Sequence, residues 1–351
     1  MRSSHVALSD RCEARAALSH DRRPILHPGA RDATLRSYRG PVRTIPGTDI
    51  AVSPLALGGN VFGWSADEAS SFAVLDAYLD AGGTMVDTAD VYSAWQGTQG
   101  GESESIIGAW LASRSNRDKV SIATKVGGAP GYDNLAPATI RGALERSLTR
   151  LRTDHVDLYY AHFDTGDSVE GALETFDELI REGKVRHIAL SNHSVARIVE
   201  SLDASAAHGW ASYVALQEQY SLMERTKFES EIAPLCSERG IGVFPYYGLA
   251  RGYLTGKYRV GGPVVESVRA KGAGAYVGER GEAVLATLRE VAHVHAVPMP
   301  SVALAWLLSR PAVVSAMASA RSLEQLADLL PMISLELSAD EIAALDAVSA
   351  T

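Results

Sequence analysis

The sequence predicts an α/β fold of the (β/α)8 TIM-barrel type, with an N-terminal β-hairpin and two extra helices, in one domain over residues 41–351. Two observations carry this. Eight short apolar runs alternate with amphipathic helical stretches, and such alternation in one run demands a parallel sheet covered on both faces. No G-x-G-x-x-G turn follows the first run, so the eightfold count favours a closed barrel over a doubly wound sheet.

Residues 1–40 stand apart. Met1–Gly40 is rich in Arg, His, Ser and Ala and has no sustained periodicity. It lacks the apolar core of a secretory signal, while Asp10, Glu13, Asp21 and Asp32 argue against a transit peptide. It reads as a disordered extension. Arg43–Val52, turning at Pro46-Gly47-Thr48, reads as the hairpin.

The candidate barrel strands are Pro54–Leu57, Thr84–Asp87, Val120–Thr124, Val156–Ala161, Val185–Leu190, Tyr213–Gln217, Ile241–Pro245 and Ala312–Ala316. Between them the helical period recurs. Ser65-Ala66-Asp67-Glu68 reads as a capping box before Phe72, Leu75, Tyr78 and Leu79. Ile140, Leu144, Leu148 and Leu151 share one face, as do Leu173, Phe176, Leu179 and Ile180 before Gly183. Val195, Ile198, Val199 and Leu202 follow, then Phe228, Ile232 and Leu235 before Gly240, and Leu323, Leu326, Leu329 and Leu330 form the last barrel helix. The two extra helices are Glu282–Ala296 and the terminal one with Ile342, Leu345 and Val348.

Composition narrows the function. A net charge of −9 argues against nucleic acid as a partner. No apolar run approaches the about 18 residues of a membrane span. Two cysteines in 351 residues make a disulfide framework unnecessary and suit a reducing, cytoplasmic setting. His293 and His295 lie two apart on a helix and so face different ways, which argues against a metal. The partner expected is a small molecule; oligomeric state leaves no signal.

In a barrel of this kind the site is built at the C-terminal strand ends. Those ends carry Asp87, Lys125, His162, Ser191-Asn192, Gln217, Tyr246 and Arg321, and Tyr92 follows Asp87 by five positions. Packing alone does not explain so many polar ends. Together they suit proton donation to a carbonyl. A free tyrosine, with a pKa near 10, is a poor acid at neutral pH. A buried Lys125 would lower that cost, Asp87 would keep the lysine charged, and His162 would orient the carbonyl. Trp64, Trp95 and Phe163 are expected to wall the substrate pocket, with Trp110 and Trp306 in the core.

The ordered set of motifs resembles the aldo-keto reductases from about Arg43 to the C-terminus: VDTADVY with Asp87 and Tyr92, IATK with Lys125, DLYYAH with His162, GKVRHIALSN, and PYYGLARGYLTGKY. The resemblance implies an NADP-dependent oxidoreductase that reduces an aldehyde or ketone to an alcohol. It implies catalytic roles for Asp87, Tyr92, Lys125 and His162, and an NADPH site. Ser191, Asn192 and Gln217 would then hold the carboxamide and Tyr246 would stack on the nicotinamide. Leu249, Arg251 and Gly252 would follow the pyrophosphate. Ala320, Arg321, Gln325 and Asp328 would bind the adenosine end, with Gly59 and Asn60 also facing the cofactor. Leu329 and Ser319 depart from the family pattern near the adenine. Competing readings are a nucleotide-sensing binding module and a metal-dependent or cofactor-free barrel lyase or hydrolase.

Overall fold

The computed structural model describes residues 40–259, 261 and 269–350; residues 1–39 of the leader, whose disorder was expected from its composition, lie outside them. Hairpin strands β1 (Arg43–Thr44) and β2 (Ala51–Val52) pair antiparallel. The chain then runs β3 (Leu55–Gly58), α1 (Glu68–Asp80), β4 (Met85–Asp87), α2 (Glu102–Arg114), β5 (Ser121–Val126), α3 (Pro137–Leu151), β6 (Val156–Ala161) and α4 (Val169–Arg181). It continues through β7 (Val185–Ser191), α5 (Val195–His208), β8 (Tyr213–Gln219), α6 (Ala233–Arg239) and β9 (Gly242–Tyr246). Then come α7 (Ala270–Gly274), α8 (Glu279–Val294), α9 (Met299–Leu308), β10 (Ala316–Ala318), α10 (Leu323–Leu329) and α11 (Ala339–Ser349).

Eight parallel strands form the sheet in the order β10-β3-β4-β5-β6-β7-β8-β9. The eighth strand, expected at 312–316, divides its pairing. Residues 312–314 exchange backbone bonds with Val243 of β9, and Ala316–Ala318 pair with β3, so one extended segment closes the seam. Inside the barrel Ala56, Leu158, Tyr160, Phe244 and Met317 pack with Ile45, Ile50 and Val52 of the hairpin. The hairpin therefore plugs one end of the interior, and Arg43 pins it by donating to the carbonyls of Val313 and Leu308. The larger core lies between strands and helices and includes Trp110 and Trp306, both fully buried.

Several boundaries differ from expectation for local reasons. The cap of α1 is Asp67, which accepts from the Ser70 amide at 2.8 Å, and not Ser65. The amides of Trp64, Ser65 and Ala66 all turn back on the Val61 carbonyl, which holds Ser65 in a tight turn before the helix. Ahead of α6, Phe228–Ile232 forms a π turn; Pro234 has no N–H to continue a regular ladder, and the register widens there. Helix α8 begins at Glu279, three residues earlier than read, and ends at Val294. Helix α9 was read from the sequence only as a helical face carrying Trp306, without bounds, because eight of its residues, Pro300–Leu307, are buried and no polar face marks a period. Among the described residues no single helix is long and apolar enough to cross a membrane.

Helix α11 is fastened by Asp346, whose carboxylate accepts from Trp306 Nε1 at 2.9 Å and from both terminal nitrogens of Arg310. Asp346→Ala leaves the indole N–H and the guanidinium without that acceptor. Urea unfolding should show a loss of about 1–3 kcal/mol, and an unchanged midpoint would show that α11 is not held this way.

Candidate active site

Asp87 is the last residue of β4 and Lys125 the penultimate residue of β5; the register pairs Asp87 with Ala123, so Lys125 lies two residues further along the adjacent strand, on the same face of the sheet. Both side chains are inaccessible to solvent, and Lys125 Nζ lies 2.7 Å from Asp87 Oδ2. The ammonium also donates to the Thr88 carbonyl at 2.6 Å and to Tyr92 Oη at 3.0 Å, which uses all three of its hydrogens. Tyr92 comes from the loop after β4, and its hydroxyl also lies 3.4 Å from Asp87 Oδ2. Gly59, just past β3, sits tightly against this end of β4: its amide donates to the Asp87 carbonyl at 2.7 Å. A Cβ there would come within 2.8 Å of Ser103 Oγ.

His162 follows β6, and its ring lies edge-on to Tyr92 with centroids 6.2 Å apart. Burial holds the imidazole well below its ordinary pKa, with the Lys125 charge adding in the same direction, so His162 is neutral at pH 7. Its Nδ1 is buried without a hydrogen-bond partner among the described residues. Phe163 stacks on it at 4.2 Å. Trp64 and Trp95 meet edge-to-face at 5.2 Å, and Trp95 lies 6.1 Å from Tyr92. The three residues expected to wall a pocket thus gather around Tyr92 and His162, with Trp95 half exposed.

One expectation changes here. Tyr92 does not have an eased acidity: burial pushes its phenol well above its ordinary value, and the Asp87 carboxylate adds to the rise. The ring keeps some open surface at the mouth, yet its hydroxyl is sandwiched between two buried charges. For Lys125, burial lowers the affinity for its proton, and Asp87 opposes that. Gln217, expected to face a carboxamide, donates from Nε2 to Asp87 Oδ1 at 3.0 Å. It acts as a brace because the second carboxylate oxygen, buried, needs a donor of its own.

The remaining candidates form an arc along the mouth. Asn192, at φ +58, donates to the His162 carbonyl at 3.0 Å and to Ser191 Oγ at 2.9 Å, and accepts from Tyr246 Oη at 2.7 Å. This ties the ends of β6, β7 and β9 together. Ser319 Oγ donates to Asn60 Oδ1 at 2.6 Å, joining the ends of β3 and β10. Past β9, Tyr247, Ala250 and Arg251 all have positive φ without being glycine, and Gly252 follows at +96. Leu249 opens the short 3-10 turn that begins there. The Arg251 guanidinium lies over the Tyr247 ring at 4.3 Å. Ala320 is buried, and the Arg321 amide donates to Gln325 Oε1 at 3.1 Å at the start of α10, while the Arg321 side chain is exposed. Asp328 uses its carbonyl to accept from Ser301 at 2.7 Å. Leu329, which departs from the family pattern, is a core residue.

Arg269 was not singled out from the sequence as a cofactor residue. Burial pulls its guanidinium below its ordinary pKa, and the nearby charges of Arg321 and Arg251 act in the same sense, opposed by Tyr247 and Tyr258. Three guanidiniums therefore gather on this side of the mouth. The only sequence signal was a single arginine in a Gly- and Ala-rich loop, which does not reveal its neighbours. No cluster of His, Cys, Asp or Glu suited to a metal exists among the described residues.

Fold and site together define a barrel oxidoreductase, and the chain belongs to the aldo/keto reductase family, whose model matches residues 54–350. It is 33% identical to Protein tas of Escherichia coli, over 87% of this chain and 96% of that protein. It is 31% identical to the norsolorinic acid reductase stcV of Emericella nidulans, over 90% and 82% of the two chains. It is 29% identical to an aryl-alcohol dehydrogenase of Pestalotiopsis microspora, over 85% and 78%.

The buried pair can be tested without any substrate. Lys125→Met leaves Asp87 as an unpaired buried carboxylate, which should cost about 3–5 kcal/mol in urea unfolding. Combining it with Asp87→Asn should recover part of that loss, since the stranded charge is gone. A strictly additive double variant would show that the two groups do not act as a pair.

Proposed function

We propose that the protein is an NADPH-dependent reductase of aldehydes or ketones in which Tyr92 is the general acid. The observation that carries this reading is the Tyr92 hydroxyl, 3.0 Å from a fully buried ammonium and beside a neutral His162. Tyr92 holds its proton at neutral pH, as an acid must before it acts. A carbonyl oxygen gaining negative charge becomes far more basic than a phenolate, so the proton moves to it late in the reaction. Lys125 then stabilises the phenolate left behind, through a hydrogen bond already in place. The accessible side of the His162 ring suits a neutral donor that fixes the carbonyl's angle.

The residues present fit the cofactor. Arg251, Arg269 and Arg321 supply three guanidiniums, a donor set matched to phosphate oxygens. The positive-φ run at Tyr247–Gly252 turns the backbone sharply beside them. When bound, NADPH supplies the hydride. Arg321 and Arg269 are the residues proposed to select NADPH over NADH, and Ser191, Asn192 and Tyr246 line the approach to the mouth.

The walls favour a flat substrate. Trp64, Trp95 and Phe163 present aromatic faces and edges around Tyr92, which suits an aryl aldehyde or ketone. The relative named for aryl alcohols supports that class.

Two predictions test the reading. Tyr92→Phe should keep NADPH affinity, followed by quenching of protein fluorescence, while NADPH oxidation with a panel of aryl aldehydes falls by ~10²–10⁴-fold. Turnover within a few-fold of the parent would remove Tyr92 from the chemistry, and NADPH binding with no turnover in the parent would favour a nucleotide-sensing module. Arg321→Ala, and separately Arg269→Ala, should weaken NADPH roughly ten- to hundredfold, the equivalent of ~1.5–3 kcal/mol, and leave NADH nearly unchanged. Equal losses for both cofactors would take these arginines away from the 2′-phosphate.

A further inference from the structure

Behind the Lys125–Asp87 pair lies a second buried charge cluster that the reaction does not use. Glu104 of α2 is fully buried; one of its carboxylate oxygens accepts from Thr124 Oγ1 at 2.5 Å, the other from Arg150 Nε of α3 at 2.7 Å. Gly101, at φ +90, makes room for this pair: a Cβ there would lie 2.4 Å from Arg150 Nε. Next to it is Asp90, two residues before Tyr92 on the same loop. Asp90 is 2% exposed, and neither of its carboxyl oxygens has a hydrogen-bond partner among the described residues.

A charge count shows why an ionised Asp90 does not suit this place. Lys125 and Arg150 are balanced by Asp87 and Glu104. A third carboxylate would be left with Arg146, an exposed cation over the Tyr132 ring that makes no hydrogen bond to it, where burial is costly. The groups that face Asp90 come from every packed element: Glu104 from α2, Arg146 and Arg150 from α3, Lys125 from β5, and Tyr159 from β6. Burial, and then Glu104, push the Asp90 carboxyl up to about 8, against the pull of Arg150 and Lys125. Asp90 also lines a small cavity of about 10 Å³ with Gln99, Tyr132, Arg146 and Arg150. That is room for about one water.

We propose that Asp90 is a positioning residue that works as the neutral acid, holding the loop that carries Tyr92, and that loss of its proton disables reduction. The step moves one proton from the Asp90 carboxyl to water and no electrons. The resulting carboxylate is repelled by Glu104 and drawn towards Arg150 and Arg146. Because Asp90 and Tyr92 share one short loop, that movement strains the 3.0 Å contact between Tyr92 and Lys125. The proposal rests on the reading of Tyr92 as the acid.

Asp90→Asn, which keeps the neutral shape, provides the test. In the parent, kcat for carbonyl reduction should fall through one titration centred near 8. His162 titrates well below that window and Tyr92 well above it. In Asp90→Asn the fall should move up by at least about one pH unit or vanish. The same fall in both proteins would assign it to Lys125 and overturn the proposal, as would a parent with no fall.

A second measurement needs no turnover. The folded pKa of Asp90 is raised above its unfolded value near 3.9, so the parent loses stability as pH rises from about 4 to about 8 and no further above that. The urea midpoint of Asp90→Asn should therefore gain on the parent across that range and then hold a constant lead. A flat difference would overturn the neutral-acid assignment. If the lead appears but neither protein reduces any carbonyl, it is the reductase reading, and with it the link to turnover, that fails.

Discussion

The site depends on one buried ammonium. Lys125 Nζ spends its three hydrogens on Asp87, the Thr88 carbonyl and Tyr92, with no access to water. Withdrawing such a charge from solvent costs several kcal/mol, recovered only if every hydrogen has a well-placed acceptor. That requirement ties β5 to β4, fixes the course of the loop after β4, and holds the Tyr92 hydroxyl at the mouth. Asp87, buried in turn, needs a second donor and receives it from Gln217 on β8. A polar chain therefore links strands on either side of the barrel interior, and a change at any member leaves another group stranded.

The barrel separates stability from chemistry along its axis. At one end the hairpin residues Ile45, Ile50 and Val52 complete an apolar interior, and ladders such as β5·β6 keep the strands in register. At the other end the same strands finish in polar side chains, and backbone strain collects there: Asn192, Tyr247, Ala250 and Arg251 all adopt positive φ. Such conformations persist only where surrounding packing enforces them. The Asn192 bridge to His162 and Tyr246 is one example of that enforcement.

Electrostatically the mouth has two halves of opposite character. Around Tyr92 the buried charges cancel, and the groups that remain, His162 and Asp90, are neutral near pH 7. On the Arg251, Arg269 and Arg321 side, positive charge accumulates until burial and mutual repulsion lower the affinity of Arg269 for its proton. A neutral, aromatic-walled half beside a cationic half is the pattern expected of a site that handles an uncharged carbonyl and a polyanionic dinucleotide together.

Order along the chain was legible in the sequence by itself. The alternation of short apolar runs with stretches of period 3.6 specified the order of strands and helices, since a barrel strand is buried on both faces and a surface helix on one. The polar residues at successive strand ends marked Asp87, Lys125 and His162, because a parallel barrel brings those ends to one face whatever the loops do. Tyr92 followed from its spacing to Asp87. Distance and environment were decided only by the tertiary structure. The extent of helix α9 around Trp306 was not legible, because burial on all sides erases the period that betrays a surface helix. The turn of Gln217 toward Asp87, the height of the Tyr92 pKa and the isolation of Asp90 depend on neighbours tens of residues away, from α2, α3 and β8. Arg269 could not be distinguished from any loop arginine until folding set it beside Arg251 and Arg321, for a charge acquires its meaning from the charges it faces.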